Sequence, residues 1–291
     1  MKRIACMAVF LGLAGISIAQ TDSTAKSTDT VKVGNFVIIK KGAGANSSSN
    51  YSSSNADNWK FDYRITRKSR NKRNISTNWI IVDLGFANQR DMTDYSFAQA
   101  GSYFKQLRPQ DGKVNQSSYA LNTGKSSNFN LWFFMQKLNI SKHVLNLKYG
   151  MGLEMYNFRY DTRLSYRKDQ QPYVFNDSIS FTKNKLFVEY LTVPLMLNFN
   201  PTPNSRRGFS LSAGLSAGYL IASRNKQISG ERGKQKYKYN FDFEPWRVAT
   251  VMEMGIGPVM LYGSYSLNRL QKETTRVEQY PYAVGIRFSS W

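Results

Sequence analysis

Three acids and three bases stand where a charge needs a partner. Asp83, Lys148, Glu154, Arg247, Glu253 and Arg287 lie within stretches of alternating polarity, each on the face that otherwise carries small or polar residues. If that face is turned away from water, an unpaired charge on it is strongly disfavoured, so the balanced set is expected to pair. It reads either as an internal ion-pair network that fixes strand register or as the lining of a narrow ion path. The first is favoured, because the strand number derived below leaves little free bore. Other chemistry is scarce: the chain has one His and one Cys. His143 falls in a short turn after Ile140, and Cys6 in an amino-terminal leader, which leaves the mature chain without a disulfide framework or a cysteine metal site. No glycine-rich phosphate cradle and no metal-ligand spacing occurs. No cofactor, no metal and no catalytic residue is assigned, and a non-enzymatic protein is expected.

The elements that must position the six charges are strands. From Asn78 onward, segments of period-2 polarity alternate with turn residues. Eight are predicted: Trp79–Asn88, Asn128–Leu138, Leu145–Tyr156, Lys185–Phe199, Phe209–Ile221, Trp246–Ile256, Val259–Leu267 and Tyr280–Phe288. In the third, Leu145, Leu147, Tyr149, Met151, Leu153 and Met155 share one face opposite Asn146, Lys148, Gly150, Gly152, Glu154 and Tyr156. The second is ambiguous, since Leu131, Phe133 and Met135 compete with Trp132 and Phe134 for the oily face. Between these boundaries lie 39, 6, 28, 9, 24, 2 and 12 residues, alternately long and short as in bacterial outer-membrane barrels.

No apolar run beyond the leader approaches the roughly 18 to 20 residues of a spanning helix, whereas 18 Tyr and 18 Phe favour β structure. A soluble barrel would alternate too, with its oily face inward. The Gly, Ser and charge content of the polar face, the loop alternation and two levels of aromatics favour the membrane reading. Trp79, Phe199, Phe209, Phe288 and Trp291 are expected near the periplasmic rim; Phe158, Tyr219, Trp246, Tyr265 and Tyr282 near the outer one. Of these, Trp79, Phe158 and Trp291 have the wrong parity and need strand ends or bulges. Glu189 points outward by parity, which puts it above the bilayer or beside a bulge.

Residues 1–19 have the layout of a secretory signal peptide: basic Lys2 and Arg3, an apolar stretch to Ile16, and cleavage between Ala19 and Gln20. Residues 20–77 read as a mostly flexible periplasmic segment, Ser/Asn/Gly-rich from Gly42 to Asn58, with an apolar patch at 33–39 that is either strand or coil. It ends in a basic run, Arg64, Arg67, Lys68, Arg70, Lys72 and Arg73. That run is a candidate contact for anionic headgroups or a periplasmic partner, or else a solvated tether. The net charge of +21 is uneven, with +7 in residues 20–76 and only +1 in 89–121, which argues against nucleic acid. Lys226, Arg232, Lys234, Lys236 and Lys238, in a loop expected outside, are candidates for phosphate-bearing surface glycolipid.

Several short motifs resemble the outer-membrane β-barrel family of Bacteroidetes that includes PorT-like proteins. They are Asn74-Ile75-Ser76-Thr77-Asn78-Trp79 running into Asp83-Leu84-Gly85-Phe86-Ala87-Asn88, then Tyr190-Leu191-Thr192-Val193-Pro194-Leu195-Met196-Leu197, and the closing Gly285-Ile286-Arg287-Phe288-Ser289-Ser290-Trp291. Asp29-Thr30-Val31-Lys32-Val33-Gly34-Asn35 is similar to the periplasmic lead-in of such proteins. Thr192 departs from the pattern, standing where similar proteins often have Glu. The resemblance implies an outer-membrane location in a Gram-negative bacterium, with Phe288 and Trp291 serving as the insertion signal for the barrel-assembly machinery. It also implies a role assisting envelope assembly or secretion.

The combined expectation is all-β: an eight-stranded antiparallel up-and-down transmembrane barrel over residues 78–291, with periplasmic termini. Its role is structural or interactive, toward outer-membrane lipid and an envelope or periplasmic protein. The alternative is a small-solute or ion channel, and less favoured is an outer-membrane enzyme.

Overall fold

The computed structural model describes residues 30–33, 36–39, 73–203, 208–256 and 259–289. They belong to two units, divided between residues 67 and 68. In the first, β1 (Thr30–Val33) and β2 (Phe36–Ile39) form an antiparallel pair, so the described residues of the apolar patch, Val33 and 36–39, are strand. The predicted cleavage point at Ala19 and Gln20, Arg64 to Lys72 of the basic run, and Trp291 lie outside the described residues.

The second unit contains β3 (Ile75–Asp91), a short helix α1 (Tyr95–Gln99), β4 (Ser127–Ser141), β5 (Leu145–Tyr160), a hairpin of β6 (Leu164–Lys168) and β7 (Pro172–Asn176), β8 (Lys183–Phe199), β9 (Phe209–Ser229), β10 (Gly233–Tyr237), β11 (Trp246–Ile256), β12 (Val259–Ser266) and β13 (Gln279–Phe288). Eight of these strands form one antiparallel ring in the order β3, β4, β5, β8, β9, β11, β12, β13, closed where β13 pairs with β3. Consecutive ring strands are neighbours throughout, the up-and-down arrangement. Closure leaves no free edge around the ring. β10 stands outside it, paired with the upper part of β9.

Polarity is inverted relative to a water-soluble protein. Leu84, Phe86, Leu191, Val193, Leu195, Leu197, Leu215, Met252, Val284 and Ile286 all face outward, with Leu215 52% exposed. Asn, Ser and charged residues fill the inward positions between them. Rings gather at two levels of this surface. Tyr219 packs edge-on to Trp246 at 5.0 Å and Tyr265 stacks on Tyr282 at 6.5 Å near the long-loop end, while Trp79 meets Phe134 at 6.0 Å near the short-turn end. Phe199, Phe209 and Phe288 also face outward at that lower end.

One bulge resolves both parity problems near the start of the ring. Phe133 is an extra residue relative to β5, and on β3 Ile80 has φ 54°. The alternation flips there, so Trp79 is 68% exposed although its parity with Asp83 points inward. The same slip turns Leu131, Phe133 and Phe134 outward while Trp132 and Met135 both point in. Glu189 stands at a second register shift, between β8 and β9.

Phe158 corrects the sequence reading. It is fully buried and joins an apolar cluster at the long-loop end instead of the aromatic girdle. Strands β5 and β9 also run past their expected ends, to Tyr160 and Ser229, carrying the wall beyond the apolar belt. There all four long connections fold over the mouth. Tyr103, Val114 and Tyr119 come from the first, Leu164, Tyr166 and Val174 from the second, Phe241 and Phe243 from the third, Leu270 and Val277 from the fourth.

Candidate functional site

The six inward charges are all buried. The guanidinium of Arg287 on β13 donates twice to the Asp83 carboxylate on β3, Nε to Oδ1 and Nη2 to Oδ2, both at 2.7 Å. Its remaining nitrogen, Nη1, donates to Glu253 on β11, and Lys148 on β5 donates to the other oxygen of Glu253. A second pair lies higher: Arg247 Nη1 on β11 donates to Glu154 Oε2 on β5 at 2.6 Å. Strands β5 and β11 are not neighbours in the ring, so Lys148–Glu253 and Glu154–Arg247 are struts thrown across the bore.

Neutral groups complete these charges. Asp83 accepts from Trp132 Nε1 at 2.7 Å and Asn130 Nδ2 at 3.1 Å. Glu154 accepts from the Thr192 hydroxyl at 3.2 Å; Arg247 donates to Tyr156 Oη at 2.7 Å and to Ser266 Oγ at 2.8 Å. Arg287 lies over the Trp132 ring and Arg247 over the Tyr156 ring, at 5.3 and 5.0 Å to the centroids. Such dense satisfaction lets ionised groups stay in a bore closed to lipid, since each lone pair or proton left empty would carry a desolvation cost.

Glycines make the room. Gly85 and Gly285 face each other across the β3–β13 pair, and a Cβ on Gly85 would come within 2.4 Å of Tyr262 Oη. The Tyr262 ring occupies that space and donates to Asn128 Oδ1 at 2.6 Å. On β5, a Cβ on Gly152 would come within 2.5 Å of the Leu131 carbonyl, 2.6 Å of Trp132 Cα and 2.8 Å of the Trp132 ring, so this glycine admits both the β4 backbone and the indole that serves Asp83.

Trp132, Asn130, Tyr156, Thr192 and Ser266 are members that charge alone does not reveal. Inward parity was the available signal for Tyr156, Thr192 and Ser266. For Trp132 the Phe133 bulge scrambled it. Beside the struts, a cavity bordered by Met135, Met196, Val251 and Arg287 has a volume of about 10 Å³, room for roughly one water.

The cap above is held by rings and hydroxyls. Tyr166 packs edge-on to Phe241 at 5.6 Å and its hydroxyl lies 2.9 Å from that of Tyr160, while Tyr103 donates to the Phe241 carbonyl at 2.9 Å. Burial pushes the phenols of Tyr103, Tyr119 and Tyr166 well above the usual tyrosine range. A polar clasp closes one side: Asp177 accepts from Arg232 Nη1 at 2.8 Å and lies 3.9 Å from Arg167 Nη2, whose guanidinium covers Tyr237 at 3.7 Å. Arg232 is thus engaged within the protein.

No protein-family profile matches the chain, and no curated protein matches it. Among solved structures it is similar to Ail, the attachment invasion locus protein of Yersinia pestis crystallised with the heparin analogue sucrose octasulfate. The match has 13% identity and a TM-score of 0.30 over 72% of this chain and 99% of that one. Neisserial surface protein A is similar at 11% identity and a TM-score of 0.29, over 75% of this chain and 100% of that one. The eight-stranded assignment rests on this chain's own strand register.

His143 sits in the turn joining β4 to β5, at the opposite end from the cap, with φ 60°. Among the described residues no three His, Cys, Asp or Glu side chains gather as a metal site. Of the basic run only Arg73 is described, and it is exposed. Phe288 ends β13 facing outward, 57% exposed.

Proposed function

We propose that the protein is a sealed, non-enzymatic barrel of the outer membrane of a Gram-negative bacterium. Its work is structural or interactive, carried on the closed surface formed by its loops. The observation that supports this reading best is the pair of ionic struts joining opposite walls of the bore beneath a mouth filled by all four long connections. A solute path would need open space along the axis, whereas an eight-stranded ring of this kind is filled by its own side chains. Lipid as the surrounding solvent is supported by the outward belt of Leu, Val, Ile and Phe. That belt of exposed large apolar side chains is the kind of surface that marks contact with a membrane or a partner.

On the same reading, residues 1–19 are removed and the amino-terminal segment lies in the periplasm. Arg64 to Arg73 touch anionic headgroups or a periplasmic partner there, and Phe288 with Trp291 is read by the barrel-assembly machinery. The motif resemblance favours assistance to envelope assembly or secretion over adhesion. Planar-bilayer recording of the purified full-length protein tests the seal. The expected result is a folded, heat-modifiable protein without steady conductance; a stable single-channel current would favour the ion path instead.

A further inference from the structure

Beyond the apolar belt the outer wall carries a row of cations. Arg159 on β5 is the register partner of Lys185 on β8, Lys185 of Lys226 on β9, and Lys226 of Lys236 on β10. Register partners point to the same face, and the neighbours Asn184, Asn225 and Gln227 are buried inward, so the four side chains form one outward line. At about 4.8 Å between strands the line is roughly 15 Å long. Lys183, Arg224 and Lys234 flank it, Arg224 lying over the Phe187 ring at 4.1 Å.

Like charges placed directly across neighbouring strands destabilise a sheet unless opposite charges lie beside them. Among the described residues no member of the row is in an ion pair. Lys185 donates to Asn157 Oδ1 at 2.7 Å and Arg159 to the Thr182 carbonyl at 2.6 Å, both neutral acceptors. Glu189 on β8 and Glu231 in the β9–β10 turn, both described, form no ion pair with it either. Slight desolvation and the charges of Lys183, Lys234, Lys236 and Arg224 push the Lys226 ammonium below its ordinary value. A cluster built with this self-repulsion fits an anion supplied from outside.

Height selects the anion. On β8 the outward residues run Phe199, Leu197, Leu195, Val193, Leu191, then Glu189, Phe187 and Lys185. At about 3.3 Å per residue and roughly 40° tilt, Phe199 to Glu189 climbs ~25 Å, the height of an outer-membrane apolar band. Lys185 stands about 10 Å higher by the same geometry, and a lysine stem spans part of that gap downward. We propose that the row Arg159, Lys185, Lys226 and Lys236 is a docking surface for the phosphates of an outer-leaflet phosphoglycolipid. The inference rests on the membrane reading above. It replaces the loop cluster expected from sequence with a strand-borne row, in which Arg232, clasped to Asp177, has no part.

The test uses full-length protein in detergent micelles. Lipid A is the probe, its dephosphorylated form the lipid control and heparin the soluble polyanion. Native protein should bind lipid A in preference to the dephosphorylated form. The triple variant K185Q/K226Q/K236Q should bind lipid A roughly a hundredfold more weakly, from about fivefold per surface cation, and K185R/K226R/K236R should restore it. All three side chains point outward, so heat-modifiable mobility should survive; if the glutamine variant does not fold, the two lipids on native protein decide. Equal binding of both lipids, an unchanged affinity in a folded glutamine variant, or heparin displacing lipid A at lower concentration would each overturn the proposal. Native protein that is soluble without detergent would instead overturn the membrane reading, which the lipid preference alone does not touch.

Discussion

The bore and the cap solve the same problem with opposite chemistry. Both fill a space enclosed by one strand ring. The bore does it with ionised side chains in a closed set of partners, Asp83, Arg287, Glu253 and Lys148 in one chain and Glu154 with Arg247 in another. The cap does it with Tyr and Phe from three of the long connections and Leu270 and Val277 from the fourth, joined by apolar and ring contacts and a few hydroxyl bonds. An ionic set is all-or-none: its members are tolerated because each is satisfied, and removing one exposes the rest. An aromatic set degrades gradually, since each ring contributes its own buried area and contacts. The inner half should therefore govern whether the ring forms at all, and the outer half how tightly its mouth stays shut.

The largest expected effect tests the first half of that statement. Arg287→Ala leaves Asp83 without its guanidinium and Glu253 with Lys148 alone, a change expected to cost about 3 to 5 kcal/mol. Urea titration of the micelle-bound protein, read by heat-modifiable mobility, should record it. Asp83→Asn with Arg287→Met, which removes charge from both sides and keeps Glu253 with Lys148, should recover most of the loss. A single variant as stable as the native protein would show the ion pairs to be incidental.

Next in size is Phe241→Ala, which empties a buried ring site in the cap at about 3 to 5 kcal/mol of local stability. Proteolysis of the loops should accelerate while the urea midpoint of the ring barely moves. Equal loss in both measurements would mean that bore and cap unfold as one unit. Gly152→Ala is expected to cost about 1 to 3 kcal/mol, by pressing a methyl into the Leu131 carbonyl and Trp132 Cα of β4 as well as the indole, and to lower the urea midpoint.

The smallest effect at ordinary pH is titration of the cap. The phenols of Tyr103, Tyr119 and Tyr166 are raised in the folded state, so their contribution is complete below the unfolded tyrosine value of about 10. It is lost as pH climbs above that toward the folded values. Protease sensitivity of the loops should rise together with tyrosinate absorbance above about pH 10. Ionisation of all the tyrosines, the buried ones included, with the loops still protected would contradict a dry cap.

Much of the ring was legible in the residues. The Leu145–Met155 alternation names without ambiguity which residues share a face, because a side-chain period of two is enforced wherever one face meets a different solvent; that the oily face looks outward followed only with the loop rhythm and the aromatic levels. The same parity put all six charges on the inward face. Parity alone could not be carried through Ile80 and Phe133, where an extra residue reverses the count: Trp79 reached the periplasmic rim only on condition of a strand end or bulge, which the structure supplies, and the face of Trp132 stayed ambiguous. Phe158 was misassigned because aromatics suit a membrane interface and a dry cluster equally well.

From sequence alone came the alternation, the charge balance of the inward face and the long-short rhythm of the connections, all properties of neighbours along the chain. Which acid meets which base was decided only when the ring closed and brought Lys148 opposite Glu253, residues far apart in sequence and on strands that never pair. The cap belongs to the same class: its apolar side chains come from four loops, and a loop carries no local signal of what the other three will bury against it. Chain-local patterns record which face a residue takes, whereas partners across an enclosed space are set by closure geometry, which no window of sequence contains.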